Sequence, residues 1–280
     1  MKTLVNKALR RFGYEIRSIK PPPIYTQKKS TTKGLTVEFI GSSGVGKTTF
    51  FNKIRIHQCR KDWFVRNDLY KSLPYGVDMD SLKYANYKLR DVYTKMLSYS
   101  YHRLQEMEFP LHRIIETYNY FVQIAKYDTL IRHESFSKGF LLDDGFLKNF
   151  AKEVVYIHSL AQEGKVERDD LKYLLKNRIV VYLHAEEDYI INNLKSRAVK
   201  TPDVINNYHS FYDKDQLRYF VKKEIANMEK LFFIAKENNV KTLCLNMENE
   251  EEEQLIEKFN YFISNLINDK KSMDFELMYN

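Results

Sequence analysis

Leu35-Thr-Val-Glu-Phe-Ile40, followed by Gly41-Ser-Ser-Gly44-Val-Gly46-Lys47-Thr48-Thr49, is the stretch that decides the fold. Residues 35–40 are apolar and β-prone, and the pattern G-x-x-x-x-G-K-[ST] follows at once, ahead of a helical segment. Strand, glycine-rich turn, then helix is the context in which this pattern makes a phosphate-binding loop. Glycines at 41, 44 and 46 permit backbone angles denied to residues with a Cβ, so the chain can wrap closely round an anion. Successive N–H groups then point inward, with the positive end of the helix behind them. Lys47 supplies a point charge for the β- and γ-phosphates, and Thr48 a hydroxyl for Mg²⁺. The expected nucleotide site is therefore Gly41, Ser42, Ser43, Gly44, Val45, Gly46, Lys47, Thr48 and Thr49. The whole chain holds nine glycines and three stand here, so the cluster is not a matter of composition. The plainer alternative is a strand-to-helix turn with Lys47 merely exposed.

Working outward, β-prone runs recur at 63–66, 139–143, 179–183 and 240–245. Helical patterns occupy 146–163, 169–176, 186–197, 214–238 and 250–267. Asn249, with Glu252 three residues on, is the expected start of the last helix. Residues 80–135 form a long helical region with a break expected near Pro110. Strands alternating with helices imply crossover connections and a mainly parallel sheet. The expected fold is a three-layer α/β P-loop NTPase fold, with a five-stranded mainly parallel sheet and a helical insertion between strands 2 and 3. The expected division is a basic amphipathic helix at 1–17, a linker at 18–34, the main domain at 35–268 and a C-terminal tail at 269–280.

Two further segments bear on chemistry. Phe140-Leu-Leu-Asp143-Asp144-Gly145 is an apolar strand ending in acid, in the manner of a Walker B element. A carboxylate there lies in the crevice where ligands bind in open α/β sheets, and could hold Mg²⁺. Asp143 leads Asp144 for that role, the alternative being that both cap the next helix. The strand beginning at Val180 leads to a helix that ends in Lys195, Arg197 and Lys200. Together with the loop, this resembles the nucleoside and nucleotide kinase-like superfamily of P-loop proteins, over about residues 35–267.

That resemblance implies an ATP:acceptor phosphotransferase with a five-stranded parallel core. It also implies that Arg197 is a lid arginine stabilising charge on the transferring phosphoryl group. The alternative is a solvated helix end, where basic residues suit the dipole. Asp68 occupies the place where such kinases often carry an acid near the acceptor hydroxyl, or is a surface-turn residue. The chain departs from the family after the third strand: Asp143-Asp144-Gly145-Phe146 replaces the Asp-Arg-Tyr/Phe and Glu-Arg-Ser motifs of enzymes with standard nucleotide acceptors. The loop after Leu245, around Asn246, is where the family holds the base. Tyr84, Tyr87, Tyr93, Tyr99, Tyr101, Tyr118, Tyr120 and Tyr127 crowd the insertion, as core residues or as an acceptor-stacking surface.

Composition narrows the classes. At 44% hydrophobic and 29% charged, the chain matches a folded soluble protein. No run of eighteen apolar residues offers a spanning helix, and no signal peptide is expected. Cys59 and Cys244 cannot make a disulfide framework, which suits a cytoplasmic protein. The net charge of +8 lies entirely in residues 1–34, where nine Lys/Arg meet the single Glu15. A neutral main domain argues against a nucleic-acid partner. The basic helix suits an anionic membrane surface at the inner face or an assembly partner, or packs on its own domain. Leu9-Arg-Arg-Phe-Gly-Tyr-Glu-Ile16 resembles leader segments of enzymes from bacterial surface-polysaccharide gene clusters, which would imply a sugar or glycan-precursor acceptor. The rival class is a nucleotide-binding ATPase or switch without a small-molecule acceptor. It is demoted by the lack of Asn-Lys-x-Asp and Leu-Ser-Gly-Gly.

Overall fold

The computed structural model describes residues 32–54, 63–65, 87–107, 109–133, 136, 138–166, 168–200 and 212–279, with the side chains of 87–90, 168 and 269–279 excepted. The expected helix at 1–17, most of the linker, Cys59, Asp68 and Tyr84 lie outside them.

Five strands form one parallel sheet in the order β2-β3-β1-β4-β5. They are β1 (Thr36–Ile40), β2 (Trp63–Val65), β3 (Gly139–Leu142), β4 (Arg178–His184) and β5 (Lys241–Asn246). In register, Thr36 stands beside Phe140 on one side and Arg178 on the other, and Ile179 beside Lys241. The helices are α1 (Lys47–Ile54), α2 (Tyr87–Gln105), α3 (Leu111–His133), α4 (Phe146–Asn149) and α5 (Ala151–Gln162). There follow α6 (Arg168–Leu175), α7 (Glu187–Lys200), α8 (Lys214–Glu237) and α9 (Glu252–Tyr279). The expected α/β architecture is what the chain adopts.

Three buried clusters cover the two faces, the smallest being Phe64, Leu130, Phe136, Phe140 and Leu142, and strand alternation sorts the residues of the other two. Val180 and Tyr182 join α2, α3, α4, α5, α6 and α8 on one face. Ile179, Val181 and Leu183 join α1, α7, α9 and the first turns of α8 (Leu217, Val221) on the other. On that second face Phe39 sits among Phe50, Phe51 and Phe259, with ring centroids at 6.2, 5.7 and 5.5 Å. Burying such rings supplies much of the drive to form the layer.

One buried cluster is polar. Glu38 is fully buried in the middle of β1, and Arg178 opens β4 at 5% exposure. The Arg178 guanidinium donates to Glu38 Oε1 and to Asp128 Oδ2. Its Nε also donates to the Leu174 carbonyl at 2.6 Å. Arg132 reaches the carbonyls that end α6, including Tyr173 O at 2.6 Å. Burial pushes the Asp128 carboxyl up, but Arg178 and Arg132 outweigh it and hold the group below its usual value.

Details differ at element ends. The single helix expected over 146–163 is two, interrupted at Phe150. The break near Pro110 is present, with Pro110 O accepting from Arg113 N at 2.9 Å as α3 begins. The last helix starts at Glu252 and runs to Tyr279, through the stretch expected to be a tail. Asn249 stands three residues before that start, too far to be its N-cap, and its N–H donates to Asn246 Oδ1 at 3.2 Å within the turn after β5. The capping box belongs to α8, where Asp213 Oδ1 accepts from Gln216 N and Gln216 Oε1 accepts from Asp213 N.

Candidate functional site: a glycine-rich loop at the sheet's switch point

The chain leaves β1 toward β2 and leaves β4 toward β5, in opposite directions along the sheet. The C-terminal ends of β1 and β4 therefore flank a topological switch point, where an open α/β sheet presents its crevice. Residues 41–49 occupy that place. Gly41, Gly44 and Gly46 all have positive φ, at 147°, 87° and 100°. A Cβ on Gly41 would lie 2.5 Å from Leu183 O, and one on Gly44 would lie 2.8 Å from Leu194 Cγ. Glycine is thus demanded at both positions by conformation and by space.

Each loop residue has a distinct setting. Val45 is fully buried in the core, so its side chain anchors the loop and only its backbone can face a ligand. Ser42 is buried, while Thr48 and Thr49 are exposed at the start of α1. Asn193 on α7 donates to Gly44 O at 3.0 Å and steadies the loop from the side. Lys47 Nζ curls over the loop, donating to Gly41 O at 2.6 Å and Ser42 O at 2.7 Å. Burial lowers the Lys47 pKa to about 8, and the neighbouring Lys148 ammonium adds to this against Glu224, Asp144 and Asp143.

The acid turn after β3 stands beside this lysine. Asp144 accepts from Tyr120 OH at 2.7 Å on one oxygen and from Lys148 Nζ at 2.7 Å on the other. Asn149 Nδ2 adds a third contact at 3.3 Å. Neither carboxylate caps α4; its N-cap is Gly145, with no side-chain bond. Gly145 is itself pressed against Glu38, since a Cβ there would lie 2.4 Å from Glu38 Oε2. Glu38 Oε2 also accepts from Leu147 N at 2.7 Å, which ties the acid turn to the buried charge cluster.

Arg197 lies in the exposed last turn of α7, at the edge of the undescribed residues 201–211, with Lys195 and Lys200 also exposed. The structure brings the loop, Lys47, Asp143 and Asp144 together; Arg197 lies on α7 three residues beyond Leu194, which packs against Gly44. Among the tyrosines, Tyr93 is buried and donates to Asp128, and Tyr99 packs edge-on against Tyr156. Tyr101 meets Tyr118 in the same way, and Tyr127 packs on the Phe64–Phe140 cluster.

Three residues escaped the sequence reading, Lys148, Asn193 and Glu224, and Tyr120, read there as core or stacking surface, instead bonds the acid turn. Glu224 on α8 accepts from Ser43 N at 2.9 Å and from Ser43 Oγ at 3.1 Å. It did carry a signal. Three residues after Val221 and four before Met228, both buried, it puts a charge on the apolar stripe of α8.

The oxygen donors near the loop, the Thr48 hydroxyl and the carboxylates of Asp143 and Asp144, suit a hard cation such as Mg²⁺. No group of three or more His, Cys, Asp or Glu able to enclose a metal exists among the described residues. Any ion here would draw the rest of its shell from phosphate and water, as Mg²⁺ commonly does.

No family model and no curated protein matches the sequence. Solved structures that resemble the fold include deoxyadenosine kinase from M. mycoides with bound dCTP, at 13% identity and TM-score 0.42, covering 82% of this chain and 100% of that one. The same enzyme with dATP gives 14% identity and TM-score 0.41, covering 84% and 99%. Among the described residues, no helix is long and apolar enough to cross a membrane.

Proposed function

We propose that this protein is an ATP- and Mg²⁺-dependent phosphotransferase acting on a small hydroxyl-bearing metabolite. The observation that carries the reading is the loop of residues 41–49, which has three positive-φ glycines at the switch point of a parallel sheet with an acid turn alongside. Backbone N–H groups and the start of α1 would receive the phosphates, and Lys47 would turn its ammonium from the loop carbonyls onto them.

Thr48 and one carboxylate of the acid turn, Asp143 ahead of Asp144, are the residues proposed to hold Mg²⁺, since both carboxylates act on Lys47 beside the loop. The bound ion would neutralise charge on the β- and γ-phosphates. The γ-phosphoryl group passes to the acceptor oxygen, leaving ADP, while the acceptor's proton goes to a base, for which Asp68 is the candidate. Arg197, carried at the end of α7, would close on the transferring group from residues adjoining 201–211. Such catalysis is mainly positioning and charge stabilisation.

The acceptor proposed is a sugar or glycan precursor, supported by the segment Leu9–Ile16 and by Asp143-Asp144-Gly145-Phe146 standing after β3. Residues 1–17 are proposed to hold the protein to an anionic membrane surface or an assembly partner. The test is a metabolite-library phosphorylation assay with labelled ATP. Transfer to a carbohydrate that Lys47→Ala abolishes supports the proposal. Transfer to nucleosides moves the acceptor class, and ATP hydrolysis with no acceptor favours the switch reading.

A further inference from the structure

We propose that Glu224 is a built-in competitor for the phosphate loop. Its carboxylate holds the amide of Ser43 that a nucleotide's phosphate chain must take, so binding requires the carboxylate to be displaced. This deepens the nucleotide reading above and rests on it.

Several observations converge on Glu224. It comes from α8, far along the chain, yet it binds both the N–H and the hydroxyl of Ser43, at 2.9 and 3.1 Å. Ser43 lies inside the glycine-rich loop, between Gly41 and Gly44, where backbone N–H groups converge on phosphate. A carboxylate bound there shows that this part of the loop accepts an anion, and that the protein supplies one of its own. Charge-assisted bonds of this kind are the strong ones. Glu224 also acts on Lys47 by raising its proton affinity, so the same carboxylate faces both anion-binding elements of the loop.

The position looks built for this. Glu224 is half-buried, in line with Leu217, Val221, Met228 and Leu231, which pack inward along α8. A charged side chain on that stripe costs desolvation unless it is bonded, and the bonds it makes are those to Ser43. α8 is fastened at its start by the Asp213–Gln216 capping box, directly after residues 201–211. A phosphate arriving at Ser43 N meets a like charge, and the two cannot share one amide. Releasing Glu224 then frees the contact between α8 and the loop at the moment of nucleotide binding.

The experiment is calorimetric titration of ATP and of inorganic tripolyphosphate into wild type, Glu224→Ala, Glu224→Gln and Lys47→Ala. Tripolyphosphate isolates the phosphate contacts from any made by base or ribose. Glu224→Gln keeps the shape and a hydrogen-bonding group, so it serves if the alanine variant folds poorly. Both Glu224 variants are expected to bind ATP and tripolyphosphate about tenfold more tightly than wild type. Affinity that is unchanged or weaker in both overturns the proposal, the second result marking Glu224 as an aid to nucleotide binding. If ATP binds wild type but Lys47→Ala has no effect, the site is not this loop and both readings fall. If wild type binds neither ligand and the Glu224 variants do not gain binding, both fall too. Binding that appears only in the variants supports the competitor.

Discussion

The hydroxyl of Tyr120 donates to Asp144 Oδ2 at 2.7 Å, joining the middle of α3 to the acid turn at the end of β3. A helix of the insertion thereby helps to set the carboxylates that stand beside Lys47. Tyr120→Phe removes that bond while keeping the ring. It should cost about 1 kcal/mol, seen as a fall of roughly 2–4 °C in Tm. Phosphotransfer should fall several-fold, while ATP affinity changes little. Full activity with an unchanged melt would show that Asp144 is held well enough by Lys148 and Asn149.

Arg178 is the shared partner of two buried carboxylates, Glu38 and Asp128. Replacing it with methionine takes the ion pair from buried Glu38 and leaves Asp128 with Arg132 and Tyr93 alone. Urea titration should show a loss of about 3–5 kcal/mol. Adding Glu38→Gln and Asp128→Asn should recover much of it, because the desolvated charges are then gone. A single variant as stable as wild type would mean that these groups are not charged in the folded protein.

The three loop glycines should differ in how they fail. Gly41→Ala and Gly44→Ala meet backbone or packed side chain within 3 Å, whereas a Cβ on Gly46 meets only Met247 Cε at 3.5 Å. All three carry positive φ, worth about 1–3 kcal/mol of strain to a residue with a Cβ. Gly46→Ala should therefore fold best of the three and lose chiefly ligand binding. Thermal melts and ATP titration separate the two effects, and equal melts for all three would contradict the order.

Lys47 gives a pH signature. Its pKa is lowered to about 8, so between there and the ordinary lysine value the folded chain has lost a proton that the unfolded chain keeps. Stability should therefore rise with pH through that window, by linkage. ATP affinity should move the opposite way and weaken above about pH 8, since the ammonium is what attracts phosphate. Lys47→Met should abolish the stability rise, and Lys47→Arg should keep binding level through the same range. Parallel denaturation and binding series from pH 7 to 10 check both.

Deleting residues 1–31 should spare the fold. Thr32 must stay, because its hydroxyl accepts from Gly139 N at 3.0 Å and its carbonyl from Leu35 N at 3.0 Å. The shortened protein should bind ATP as the full chain does and lose any association with anionic liposomes. A collapse of stability would instead place residues 1–17 on the domain itself.

Much of the fold was legible because its signals are local. The apolar runs at 35–40 and 179–183 become buried strands, and the glycine-rich turn between β1 and α1 has the backbone angles its composition demands. The end of the last helix and the cap of α8 were harder. Asn249 had the right chemistry for a cap, but the helix begins at Glu252, two residues beyond the position Asn249 would cap. The tyrosines illustrate the same limit, since identical helical spacing placed Tyr93 in the core and Tyr120 against the acid turn.

The sequence by itself determined a parallel α/β sheet and a loop shaped for an anion, because hydrophobic period and glycine's conformational freedom act over a few residues. Which groups reach that loop was decided by tertiary structure alone. Glu224 contacts Ser43 across 181 positions, and Arg178 contacts Glu38 across 140. Such meetings depend on strand order and on the face each helix turns inward. A charge within an apolar stripe announces that a partner exists, and only the packed chain shows which.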